Sequence, residues 1–122
     1  MLDHVGFDVS SLSRSARFYD AVFFALGTRR THQSGQAIAY GDNGPSFWIV
    51  ERGRRPEPGY GHVALKATGK AAVEAAHAAG LAHGGSDDGA PGPRPHYGTR
   101  YFAAYLRDPD GLRVEIVTGS AG

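Results

Sequence analysis

Cysteine is absent from the 122 residues. That removes disulfide frameworks, thiolate zinc sites and cysteine nucleophiles together. No apolar run nears the ~20 residues that cross a bilayer as a helix. Neither sign of charge dominates, with 13 Lys and Arg against 12 Asp and Glu. The chain therefore lacks the clustered positive field that nucleic acid or an anionic membrane requires. No Gly-rich phosphate loop opens a helix, so nucleotide chemistry has no support. The first residues, Met1-Leu2-Asp3-His4-Val5, lack signal-peptide character. The expectation is a cytoplasmic protein with a small-molecule partner, and neither nucleic acid nor membrane as a partner.

What is present is a core and a repeat. Apolar residues make up 41% of the chain, and the length suits one domain. Two short strands look alike, Asp3–Val9 and Gly61–Ala67, each alternating apolar and other residues as half-buried strands do. A helical pattern follows each. In the first, Ser11 or Ser13 can cap a helix that places Ala16, Tyr19, Phe23 and Leu26 near one face before Gly27. In the second, Thr68 or Gly69 precedes an alanine-rich run ending at Gly80, and alanine is the strongest helix former.

Strand–turn–strand patterns come next in both halves. Gln36–Tyr40 leads through Asp42-Asn43-Gly44 into Ser46–Val50, and Arg100–Leu106 leads through Asp108-Pro109-Asp110-Gly111 into Arg113–Val117. A further short strand is expected near Gly27–His32, with its counterpart near His83–Asp87. The proline-containing stretch Asp87–Tyr97 reads as a long irregular loop. The order is βαβββ twice: one domain over 1–122, made of module 1–51 and module 60–118 joined by linker 52–59.

Two βαβββ modules at this length resemble the glyoxalase/bleomycin resistance/extradiol dioxygenase group, the vicinal oxygen chelate superfamily. The resemblance rests on Leu2-Asp3-His4-Val5, Phe18-Tyr19, Leu26-Gly27, Gly61-His62-Val63-Ala64 and, most specifically, Asp108-Pro109-Asp110-Gly111-Leu112-Arg113-Val114-Glu115. It implies an α+β fold in which two modules curl into a cupped mixed sheet with helices outside. It also implies a divalent metal in the cup, with ligands from the first and last strands of each module. Related short chains commonly form homodimers, sometimes sharing the cup.

The pleat of a strand tests that carry-over. Val5, Phe7 and Val9 share one face, leaving His4 on the other; Val63 and Leu65 oppose His62; Val114 and Ile116 oppose Glu115. If the apolar faces meet the helices, His4, His62 and Glu115 all face the cup. Two imidazoles and a carboxylate suit a divalent first-row ion; Zn, Ni, Mn and Fe are not distinguished, and a cup without metal remains open. The plain alternative is that these are ordinary polar strand residues. Trp48 stands four residues after Gly44, as Glu115 stands four after Gly111, so it occupies the position of a fourth ligand. An indole there would make an apolar platform for a ligand. Glu51 has the opposite parity and should point away.

Tyr97, Arg100, Phe102 and Ala104 complete the expected substrate wall, with Arg94 a further anion-holding candidate. His96 is the candidate general acid–base group. His77 and His83 are expected outside the cup, His32 carries no message, and Asp108 and Asp110 read as turn formers. Two functions follow. One is a metal-dependent small-molecule enzyme of the lyase, isomerase or dioxygenase kind. The other is a metal-free protein that sequesters a planar or aromatic natural product.

Overall fold

A computed structural model of the chain describes residues 1–120. The elements run β1 (Val5–Val9), α1 (Leu12–Ala25), β2 (Arg29–Gln33), β3 (Ala37–Gly41), β4 (Phe47–Glu51), β5 (His62–Lys66), α2 (Lys70–Ala82), β6 (Ser86–Pro93), β7 (Phe102–Arg107) and β8 (Arg113–Thr118). This is βαβββ repeated.

The helix boundaries have local causes. Ser11 caps α1, its side chain accepting from the Arg14 backbone N–H at 3.3 Å. At the other end Gly27 adopts φ +79°, and Thr28 N–H bonds back to the Phe23 carbonyl at 2.9 Å. Gly69 precedes α2 without a side-chain cap, so that helix depends on its alanines and on packing.

Each module makes a four-stranded mixed sheet, in the orders β1-β4-β3-β2 and β5-β8-β7-β6. β1 runs parallel to β4 and β5 parallel to β8; the other pairs are antiparallel. β1 and β5 are therefore edge strands of separate sheets. The expected alternation holds. Phe7 and Phe47 pack 5.5 Å apart, Tyr19 of α1 lies 4.9 Å from Phe47, and Phe23 stacks on Tyr40 at 4.6 Å. In the second module Ala104, Leu106, Val114 and Ile116 join the same core.

The helices also meet each other. A Cβ added at Gly80 of α2 would lie 2.6 Å from Leu106 and 3.1 Å from Phe18 of α1. One apolar core thus runs through both modules, and the opposite face of each sheet is left free of helix. On β5 that face, His62, Ala64 and Lys66, is exposed.

One expectation is corrected. The counterpart of β2 runs over Ser86–Pro93 and overlaps the expected His83–Asp87 only at its start, so most of the stretch read as irregular loop is strand. Its prolines are tolerated because β6 is an edge strand, where one side needs no N–H donors. Its register with β7 shifts between Asp87 and Gly89 and again before Gly92, which hides the alternation in the sequence. No helix among the described residues is long and apolar enough to cross a membrane.

Candidate functional site

The helix-free face of the second sheet gathers the chemistry. Register pairs Ala64 of β5 and Tyr105 of β7 with Glu115 of β8, so all three point the same way. Glu115 is only 2% exposed. His62 Nε2 lies 3.1 Å from Glu115 Oε1, and the Tyr101 hydroxyl donates to Oε2 at 2.5 Å. That hydrogen bond and partial burial raise the Tyr101 pKa above the ordinary tyrosine value. Burial, then the same carboxylate, raises that of Tyr105. The Arg113 guanidinium sits 4.0 Å from the Tyr105 ring and bonds Asp88 at 2.8 Å.

The corresponding face of the first sheet carries Trp48. A Cβ on Gly6 would sit 3.7 Å from the Trp48 Cβ, which puts both on the side away from Phe47 and Ile49. The indole lies 5.1 Å from the His32 ring. Asp8, on the same face, is paired with Arg52 at 3.3 Å and with Arg54. Glu51 has the opposite parity and accepts from the Leu12 N–H at 2.6 Å, helping to start α1.

His4 does not join His62 and Glu115 within one chain. It precedes β1, is exposed, and its Nδ1 lies 2.6 Å from Asp3. Among the described residues no three His, Asp or Glu side chains group to hold a metal ion. β1 and β5 belong to different sheets and do not pair, although His4 and Val63–Lys66 border one pocket.

Phe102 and Ala104 are corrected. Both pack into the core shared with the helices, while Ala103 and Tyr105 take the open face with Val117 and Tyr101. Both parities of Phe102-Ala103-Ala104-Tyr105 are apolar or aromatic, so the strand alone does not announce its faces. The register with Glu115 does: it would have found Tyr105, with Tyr101 on the same parity. Tyr97 is exposed and lies 5.3 Å from Tyr101 and 4.1 Å from His96. Arg100 is exposed. Arg94 bonds the Ala90 carbonyl at 2.9 Å and lies 5.8 Å from the Tyr105 ring. His77 and His83 stand outside this face; His77 Nε2 meets Asp87 at 2.8 Å. A cavity of about 650 Å³ lies by the linker arginines and Asp8 rather than at Glu115.

The donors suit a divalent ion in kind, an imidazole nitrogen beside a carboxylate oxygen. In this structure the two are hydrogen-bonded to each other at 3.1 Å, and the same two atoms would hold an ion. In number they fall short, since one chain brings two.

The comparisons agree with this architecture. The family model for the Glyoxalase/Bleomycin resistance protein/Dioxygenase superfamily matches residues 1–116. A glyoxalase/bleomycin resistance protein from Albidiferax ferrireducens T118 is 31% identical, with a TM-score of 0.84 over 96% of this chain and 97% of that one. A glyoxalase-related enzyme from Fulvimarina pelagi is 23% identical, with a TM-score of 0.75 over 96% and 86%. The fosfomycin resistance protein FosX from Mesorhizobium loti is 23% identical, with a TM-score of 0.72 over 99% and 93%. These last two share the fold. No curated protein matches the sequence. With both modules, their order and nearly the whole length accounted for, the chain belongs to the glyoxalase/bleomycin resistance protein/dioxygenase superfamily.

Proposed function

We propose that the protein is a small-molecule enzyme, of the lyase, isomerase or dioxygenase kind, that works with a divalent metal ion. The observation that carries this reading is the juxtaposition of His62 Nε2 and Glu115 Oε1 on adjacent parallel strands. An ion held there would supply Lewis acidity to paired oxygens of a substrate. Glu115 brings the negative charge, and its burial keeps competing water from its far side.

His4 is the third ligand in this reading, and it comes from a second copy. β1 and β5 each end a sheet with unpaired backbone, which a protein must cover. A homodimer that sets β1 of one copy beside β5 of the other covers both edges twice by symmetry. It brings His4 and Trp48 of one copy to His62 and Glu115 of the other. Trp48, Tyr97 and Arg100 then line the substrate space, the first as an apolar platform and the last as a cation for an anionic group. His96, at the end of the aromatic row His96–Tyr97–Tyr101, is the general acid–base candidate.

Calorimetric titration of metal-free protein with Zn²⁺, Mn²⁺, Ni²⁺ and Fe²⁺ tests the reading. Saturable binding of one ion per chain, lost in Glu115→Ala and in His62→Ala, supports it. Absence of saturable binding for every ion at neutral pH removes it. The second reading, a metal-free binding protein for planar or aromatic compounds, is favoured by one observation: Trp48 stands on the open face beside His32. Under that reading such a compound changes the fluorescence of Trp48, the only tryptophan, without any metal.

A further inference from the structure

We infer that Tyr101 is a positioning residue that fixes the Glu115 carboxylate, holding Oε2 so that Oε1 is presented beside His62. The inference rests on the metal reading above. A carboxylate turns easily about its terminal bond, because that torsion is broad and roughly two-fold. Nothing in β8 itself selects which oxygen faces β5. The side chains flanking Glu115 in the sheet are Ala64 and Tyr105; alanine is too short to hold an oxygen, and the Tyr105 hydroxyl also acts on the carboxylate, with Tyr101 making the close contact. The Tyr101 hydroxyl holds one, at 2.5 Å from Oε2, while His62 Nε2 faces the other.

Tyr101 is itself well fixed. Its N–H bonds the Gly98 carbonyl at 3.2 Å, and its carbonyl accepts from Arg94 N–H at 2.8 Å. Its ring packs against the cluster of Ala103, Tyr105 and Val117, with Tyr97 5.3 Å away. The segment 94–101 therefore closes on the second sheet and places a phenol where the ligand carboxylate needs a donor. Partners that orient a metal ligand in this way typically matter 10–100-fold in metal affinity.

The test is metal affinity, with folding followed separately. Tyr101→Phe removes the hydroxyl and keeps the ring, so packing against Tyr97 and Val117 is preserved. Wild type and Tyr101→Phe are titrated with Zn²⁺ and Mn²⁺ by calorimetry; thermal melting of each metal-free protein checks that it is folded. The expected result is affinity lower by roughly 10–100-fold in Tyr101→Phe. Unchanged affinity in Tyr101→Phe overturns the inference and leaves the metal reading standing. Tighter binding also overturns it, since Tyr101 would then compete with the ion for the carboxylate. No binding by wild type overturns both.

Discussion

Tyr19 of α1 donates its hydroxyl to the buried carboxylate of Asp108 at 2.6 Å, joining the first module's helix to the turn before the second module's last strand. Asp108 also accepts the N–H groups of Asp110 and Leu112, each at 2.9 Å. Asp110 in turn bonds Ser10 and, at 2.9 Å, Arg14. Two residues that look like turn formers thus also hold the modules together. Their angle matters to the site, because it sets where β1 and β5 lie relative to one another.

Tyr19→Phe should therefore destabilise the fold by about 1–3 kcal/mol, the cost of withdrawing a donor from a buried acceptor. Burial raises the Asp108 pKa, against the opposing pull of the Tyr19 hydroxyl and the two N–H groups. A raised folded value means that this group's contribution is fully present in acid and declines as pH rises through that value. Losing Tyr19 raises it further. The penalty should be small in acid and full at neutral pH, as read from urea unfolding of both proteins across that range.

Gly85→Ala tests the contact between the modules from the packing side. A Cβ there would lie 2.4 Å from the Phe18 ring and 2.9 Å from the Gly80 carbonyl. The ring has little space to retreat, being fully buried, and the carbonyl is backbone. Overpacking of this kind costs about 1–3 kcal/mol, so thermal melting should show a lower midpoint.

The repeat, the two helices and the faces of β1, β5 and β8 were legible because alternation survives where one parity is clearly apolar, as in Val63–Leu65 and Val114–Ile116. It failed at Phe102–Tyr105, where small and aromatic residues fill both parities, and at Ser86–Pro93, where bulges break the period. His62 beside Glu115 followed from parity and parallel pairing. That His4 stands apart did not, because the relation between two sheets depends on contacts such as Tyr19–Asp108 and Phe18–Gly85, which no local pattern encodes.

Glu51 separates stability from metal binding. Its carboxylate accepts the Leu12 N–H at the first turn of α1, so Glu51→Ala should cost about 1 kcal/mol in unfolding free energy, as loss of an N-terminal cap does. Metal affinity measured by calorimetry should not change.

Asp20 predicts an acid limb. Burial raises its pKa, but the Arg30 guanidinium and the Tyr40 hydroxyl, at 2.7 Å and 2.6 Å, outweigh this and leave it lowered. A lowered folded value gives a contribution present above the ordinary carboxylate range and lost as pH falls through the folded value. The two side chains are 34% and 43% exposed, so the contribution is under about 1 kcal/mol. Asp20→Asn should flatten this part of the stability profile between neutral pH and acid, as followed by thermal melting.

The proposal of a metal site shared by two copies is tested most directly by mixing two variants that each lack one ligand. His4→Ala keeps His62 and Glu115, while Glu115→Ala keeps His4. Refolded together at equal amounts, half of the dimers should be mixed, and each mixed dimer should carry one intact site of its two, about one quarter of all sites. Calorimetry with the ion that wild type binds best should recover that fraction from the mixture and none from either variant alone. A mixture as inert as its components, from proteins shown to have exchanged subunits, would contradict a site built by two copies of the chain.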